Sequence, residues 1–256
     1  MVSACRLTPK GGKYFLVSLG TGFANIQIIV LYLPPMAKKL LIKFPTKSRP
    51  QKFLKVLSEY ISAANNNNDI TYLISIDVND PSMTTEVQAQ ARALHPHVLI
   101  FTGVSTGKVN ACNRDVHRVE NWDIIVLASD DMIVQQKGWD DQIRNDMQSQ
   151  FPDLDGVLYY PDGHTDLNTM CIMGRAYYNR FGYIYNPIYT SLFCDDEFQQ
   201  VSKILGKEYK SELTLFKHEH PVWKGEKYDA LMVKNESYYA ADKKVFDRRK
   251  SINFGL

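Results

Sequence analysis

Two adjacent carboxylates, Asp130 and Asp131, follow Ser129 at the end of an apolar run from Ile124 to Ala128. Consecutive apolar residues of this kind fit a strand buried on both faces of a sheet. Ligands of open α/β sheets bind outside the carboxyl ends of the strands. Neighbouring carboxylates repel there and lose hydration unless a cation or a proton sits between them. Oxygen ligands of this type suit Mg²⁺ or Mn²⁺, which commonly joins one or two carboxylates to a substrate's phosphates. A solvated turn with one Asp capping the next helix is the plainer alternative. Two further acidic clusters favour the chemical reading: Asp77 with Asp80, and Asp195 with Asp196 and Glu197. All three stand at predicted strand ends or helix starts. Gathered along one edge of a parallel sheet, they would handle a metal-bound anion and a proton.

Other residues could contribute to such a site. The stretch Gly103 to Val109 (GVSTGKV) is not a P-loop, because Val109 stands where a Ser or Thr must meet the metal. It can still deliver Lys108 and a helix start to a phosphate, or be a simple turn capped by Thr106. His218 and His220 fall on one side of an extended segment at period two. Either completes a metal's ligand set, or both are surface imidazoles. Lys243, Lys244, Arg248, Arg249 and Lys250, with Asp242 and Asp247 among them, make a solvated helix face or an attractor for a diphosphate. The aromatic run Tyr177, Tyr178, Phe181, Tyr183, Tyr185 and Tyr189 is core or rim packing first, and a stacking wall for a sugar second.

The elements that position these residues alternate. Lys39 to Phe44 reads as a strand ended by Pro45, and Gln51 to Ala64 as a helix with Phe53, Leu57, Tyr60 and Ile61 on one face. The asparagine run from Asn65 to Asn68 stops it. Ile70 to Val78 is a second strand, Met83 to Ala93 a helix, and Val98 to Phe101 a third strand. Val109, Cys112, Val116 and Val119 form one stripe before the strand that leads to Asp130. Trp139, Ile143 and Met147 mark the next helix. Beyond Pro152 the pattern loosens into short strands (Gly156 to Tyr160, Met170 to Met173) and helices (Gly174 to Phe181, Asp195 to Leu205, Glu236 to Lys250). This order predicts an α/β fold: a Rossmann-like, mostly parallel sheet flanked by helices, in a single domain.

At 256 residues the chain can bury a sizeable core, and its +2 formal charge offers no global attraction to nucleic acid. Cys5, Cys112, Cys171 and Cys194 form no CxxC pair and no zinc spacing, which fits free thiols in a reducing, cytoplasmic compartment. The amino terminus stands apart. Tyr14 to Leu33 carries no charge and is long enough to span a bilayer, so membrane contact through residues 14–33 is one reading. A dispensable leader ahead of Met36 is another, and a packed helix a third. Residues 1–35 are accordingly set apart from a 36–256 domain. The Gly20-Thr21-Gly22 triplet follows no strand and is assigned nothing.

Taken together, the residues from about Leu40 to Phe246 resemble the GT-A-fold nucleotide-sugar glycosyltransferases, family 2-like. Pro45-Thr46 with Ser48-Arg49 resembles the family's first strand opening onto the nucleoside. Asp77 matches the acid that contacts the base. Gly107-Lys108-Val109-Asn110-Ala111-Cys112-Asn113 is similar to the family's glycine-to-asparagine helix. Ser129-Asp130-Asp131 occupies the place of the DxD motif, although Ala128 stands where a first Asp is usual when Asp130 is aligned as the last. Cys194 to Phe198 resembles the acidic pair that supplies the base, and His218 or His220 falls where a late metal-binding histidine is found.

The resemblance implies inverting transfer from a nucleoside diphosphate sugar to an acceptor hydroxyl. Pro45, Thr46, Arg49, Asp77, Lys108, Ser129 and Asp130 would bind the donor. Asp130, Asp131, His220 and His218 would bind Mn²⁺ or Mg²⁺, and Asp196 would be the base with Asp195 as fallback. The acceptor is open among glycan, lipid, protein and modified nucleic-acid base. A nucleotidyltransferase is disfavoured because PTKSRP (residues 45–50) lacks glycine. A non-catalytic nucleotide- or sugar-binding module on the same fold is the other alternative.

Overall fold

The computed structural model describes residues 2–7, 13–19, 27–33, 37–164, 166–221, 225 and 227–256. Two units divide the chain, Met1–Ala37 and Lys38–Leu256. In the first, Val2–Leu7 (β1), Lys13–Leu19 (β2) and Gln27–Leu33 (β3) form an antiparallel sheet in that order. Lys13 stands opposite Leu33, and Leu19 opposite Gln27. The span from Tyr14 to Leu33, long enough for a membrane helix, is therefore not one continuous helix. Its Val, Ile, Tyr and Phe residues favour a pleated strand. Among the described residues no helix is long and apolar enough to cross a membrane. Gly20-Thr21-Gly22 lies outside the described residues.

The second unit opens with the expected alternation. Leu40–Thr46 (β4) leads to Pro50–Ala63 (α1), Ile70–Asp77 (β5) to Thr85–Leu94 (α2), and Val98–Gly103 (β6) to Lys108–Asn113 (α3). Ile124–Leu127 (β7), Met132–Val134 (β8) and Trp139–Gln150 (α4) follow. The remainder comprises Val157–Tyr159 (β9), Ile172–Gly174 (β10), Arg175–Phe181 (α5), Cys194–Ile204 (α6), Glu208–Lys210 (β11) and Phe216–His218 (β12). Ala230–Glu236 (α7) and Tyr239–Ser251 (α8) come last. The expected terminal helix thus begins later than Glu236, and a separate short helix precedes it.

Seven strands share one sheet in the order β11-β9-β10-β7-β4-β5-β6. β4 pairs in parallel with both β5 and β7, and β5 with β6. β10 runs antiparallel to its two neighbours, which makes the sheet mixed but mostly parallel. Because β4, β5 and β7 point the same way, Thr46, Asp77 and Ala128 all emerge at one edge. Beside the sheet, β12 pairs antiparallel with β8 and sets His218 opposite Met132.

Alternation along β4 divides the core. Leu40, Ile42 and Phe44 face α1 and α4, packing with Phe53, Leu57, Tyr60, Trp139, Ile143 and Met147. Trp139 is fully buried, donates from Nε1 to Tyr60 O at 3.1 Å, and meets the Tyr60 ring at 5.4 Å. On the other face Leu41 and Leu73 pack with Val109, Cys112, Tyr177 and Phe198. Lys43 shares that second face and is fully buried, donating to Ser75 Oγ, which donates in turn to Asp115 at 2.7 Å. The asparagine turn after α1 is pinned at long range. Asp140 accepts the Asn65 and Asn66 amides at 2.8 and 3.0 Å and is held by Arg144 at 2.6 Å.

Candidate active site

The carboxyl ends of β4, β5 and β7 open into a cleft of about 470 Å³, lined by residues of the Lys38–Leu256 unit. Of the residues anticipated from sequence, Pro45, Thr46, Arg49, Asp77, Lys108, Ser129, Asp130, Asp131, Asp195, His218 and His220 line it. Asp196 does not. Consecutive helical residues point about 100° apart, so when α6 turns Asp195 toward the cleft it turns Asp196 away. Burial, with repulsion from Asp195, pushes the Asp196 carboxyl up to about 6. Asp195, the fallback base of the sequence reading, is thus the one of the two acids in the cleft lining.

At the β5 end, Asp77 accepts from Lys47 Nζ at 2.8 Å and from the Asn79 amide at 3.2 Å. Burial opposes its ionisation, but these donors outweigh burial and hold its pKa below the ordinary value. Asp80 ties down the adjoining loop by accepting the Ser48 amide at 2.6 Å, where Ser48 adopts a φ of 63°. That loop delivers Arg49 to the cleft.

Asp130 and Asp131 face different partners. Arg49 Nη1 lies 3.1 Å from Asp130, and its Nη2 lies 2.7 Å from Asp229, the cap of α7. Lys52 adds a second cation 3.8 Å from Asp130. Burial still raises the Asp130 pKa, with Asp131 adding repulsion that Arg49 and Lys52 only partly offset. Asp131 accepts from Ser129 Oγ and lies 3.6 Å from His218 Nε2. Despite burial, His218 and Ser129 hold the Asp131 carboxyl well below the usual range. His218 Nδ1 is 3.4 Å from Asp162, itself 1% exposed. Burial would lower the imidazole's pKa, but the two carboxylates lift it to about 9. His220 stands beside it, ring centroids 5.4 Å apart, and is pushed down by burial and by the neighbouring imidazole.

No three His, Cys, Asp or Glu side chains converge as a ready metal cage among the described residues. Asp131 and His218 nonetheless fit a cation shared with a bound diphosphate. Mg²⁺ and Mn²⁺ are commonly held by one or two protein ligands plus phosphates and water. A ligating imidazole usually offers its other nitrogen to a carboxylate, as His218 does to Asp162. Asp130, first in line for the metal on sequence grounds, is instead engaged by Arg49 and Lys52.

Lys108 reaches the cleft from the start of α3 and stays exposed to the solvent there. Among the described residues it has no hydrogen-bond or ion-pair partner. Enclosure by the walls works against its charge, but Cys194 and Asp195, then Cys112 and Asp131, outweigh that and raise its pKa. The aromatic run is largely interior: Tyr177, Tyr185 and Tyr189 are at most 3% exposed, and of the run only Tyr185 lines the cleft. The basic terminal residues lie outside the cleft lining; Lys243 pairs with Asp247, and Arg249 with Glu197.

Several participants carried no local signal. Lys47, Lys52, Asp162 and Asp229 matter through partners far along the chain. Leu231 and Met232 of α7 also line the cleft.

No protein-family model and no curated protein matches the chain. Solved structures do resemble it. S. aureus TarS in complex with UDP-GlcNAc has a TM-score of 0.58 at 12% identity, covering 76% of this chain and 60% of that one. The mannosyltransferase PcManGT from Pyrobaculum calidifontis, in complex with GDP-Man and Mn²⁺, has 0.53 at 12% identity, covering 69% and 54%. Glucosyl-3-phosphoglycerate synthase from Mycobacterium tuberculosis, with Mn²⁺, UDP and phosphoglyceric acid, has 0.52 at 11% identity, covering 73% of each chain. The chain matches only 37% of the length of the longer TarS structure and 61% of TarS 1-349. At these identities the likeness concerns architecture, and the architecture is the GT-A fold.

Proposed function

We propose that this protein is a glycosyltransferase that moves a sugar from a nucleoside diphosphate sugar to an acceptor hydroxyl, with inversion at the sugar carbon. The observation that carries this reading is the arrangement of one cleft on a GT-A fold. It holds an acid at the end of β5 (Asp77), an Asp131–His218 pair fit for a divalent cation, a cation without a partner among the described residues (Lys108) and a further acid (Asp195). Groups of opposite character at separate points suit a reaction in which one end gains negative charge while the other loses a proton.

In this reading Thr46 and Asp77 receive the nucleoside, and Arg49 and Lys108 lie against the diphosphate. Asp131 and His218 would hold Mn²⁺ or Mg²⁺, which when bound neutralises charge on the departing phosphates. Asp195 accepts the proton of the acceptor hydroxyl as its oxygen bonds to the sugar carbon. The bond from that carbon to the diphosphate oxygen breaks, and Lys108 and Arg49 meet the charge left behind. Positioning against the acceptor oxygen is what this role requires of Asp195. We place the chemistry in the Lys38–Leu256 unit, whose residues line the cleft.

The test is release of nucleoside diphosphate from a panel of nucleotide sugars, run with calorimetric binding of the same donors with and without Mn²⁺. Metal-dependent binding with release supports transfer. Tight binding with no release from any donor, whatever acceptor is offered, would favour the non-catalytic module on this fold.

A further inference from the structure

The turn before α6 is held from a distance by one side chain. Asp242, on α8 and 2% exposed, accepts the Thr190 amide at 3.0 Å and the Ser191 and Leu192 amides at 2.8 Å each. Three backbone donors on one buried carboxylate fix the path of that turn far more firmly than ordinary loop contacts. The next residue, Phe193, has φ 61° and ψ 1°. That left-handed conformation is unfavourable for a bulky side chain, and it persists only where the surroundings enforce it. Here they do: the Phe193 ring lies 5.2 Å from Tyr239 and 5.6 Å from Phe246, both on α8. α6 then begins at Cys194, with Asp195 in its first turn.

The same turn also supports Lys108. Thr190 O accepts the Val109 amide at 3.1 Å, and a Cβ placed on Gly107 would come within 2.6 Å of Thr190 O. A glycine is thus needed for the α3 start to sit this close. Behind α6 lies a second cavity of about 320 Å³, partly lined by Cys194, Glu197, Phe198 and Val201. Core packing of Cys194, Phe198 and Val201 seats α6, and α8 holds it at two further points: Asp242 at the preceding turn, and Arg249 at Glu197, 2.6 Å away.

We infer that Asp242 is a positioning residue for the reaction, aligning Asp195 and Lys108 against each other through the 190–192 turn. The inference rests on the transferase reading for its consequence, but not for its geometry. Asp242→Asn keeps the shape of the side chain, removes its charge and turns an amide donor toward backbone donors. It should release the turn while leaving the nucleoside end of the cleft, at Thr46 and Asp77, untouched.

Two measurements on the full chain test this. Hydrogen exchange of Asp242→Asn should show lost protection confined to the Thr190, Ser191, Leu192 and Val109 amides. Turnover should fall on the order of tenfold to a hundredfold, with the dissociation constant for nucleoside diphosphate within twofold of wild type. Phe193→Gly, which relieves the left-handed conformation and loosens the grip of α8, should shift turnover in the same direction with donor affinity again kept. Unchanged exchange at Ser191 and Leu192 would overturn the inference, as would wild-type turnover in Asp242→Asn. Parallel loss of nucleotide affinity, turnover and melting temperature would reduce Asp242 to a general stabilising contact and would also overturn it. A failure of the transferase reading looks different: the wild type itself would release no nucleotide from any donor.

Discussion

His218 Nε2 lies 3.6 Å from Asp131 Oδ2, joining two segments that are far apart in sequence and paired as adjacent strands. Behind the imidazole, Asp162 faces Nδ1 at 3.4 Å. Asp131→Asn or His218→Ala should therefore weaken Mn²⁺ binding, measured by calorimetry with nucleoside diphosphate present, by tenfold or more. Asp162→Asn should cost roughly 10- to 100-fold by disorienting the ring. Asp130→Asn should change metal affinity least, because Arg49 and Lys52 hold that carboxylate. The reverse ranking would move the cation to Asp130.

Arg49 bridges Asp130 and Asp229 and so ties the start of α1 to the cap of α7. Its planar fork can serve two carboxylates, which a lysine's single ammonium does poorly. Both Arg49→Gln and Arg49→Lys should weaken nucleoside diphosphate binding by about tenfold and increase hydrogen exchange in Ala230–Glu236. Full restoration of affinity by lysine would show that charge alone matters.

Asp195 and Asp196 are neighbours with different surroundings, and only Asp195 lines the cleft. Asp195→Asn should lower kcat by about 10²-fold or more, while Asp196→Asn stays within a few-fold. Steady-state donor turnover with a competent acceptor distinguishes them. Equal losses would place both acids in the mechanism.

Lys43 offers a prediction about stability. Burial lowers its pKa from 10.5 to about 7, with Cys112 and Asp115 opposing the shift. Below about 7 the folded protein bears the whole cost of the buried charge. Between about 7 and 10.5 the unfolded chain binds the extra proton, so stability contributed by this site rises with pH. Lys43→Met should raise the urea midpoint most below pH 7, and the gain should shrink toward pH 10. A gain that is constant with pH would contradict this account.

The parallel half of the sheet was legible because buried strands such as Ile124–Leu127 and amphipathic helices such as Pro50–Ala63 announce themselves locally. The resemblance correctly pointed to the GT-A fold. What sequence could not show was direction and partnership. Asp195 and Asp196 follow a left-handed Phe193 whose ring packs on α8, a long-range contact that no local pattern announces. Asp242 read as one acid within a solvated helix, yet it is nearly fully buried by backbone donors about 50 residues away in sequence. In the amino-terminal span length and hydrophobicity left a helix open, because they do not separate one long helix from strands such as Lys13–Leu19 and Gln27–Leu33.

The central claim is tested most directly by incubating the full chain with a panel of nucleotide sugars and Mn²⁺, and measuring free nucleoside diphosphate for wild type and Asp195→Asn. The account predicts release from at least one donor by the wild type, and turnover lower by about 10²-fold in the variant with donor binding retained. Wild-type rates in Asp195→Asn, or no donor bound or consumed by the wild type, would contradict it.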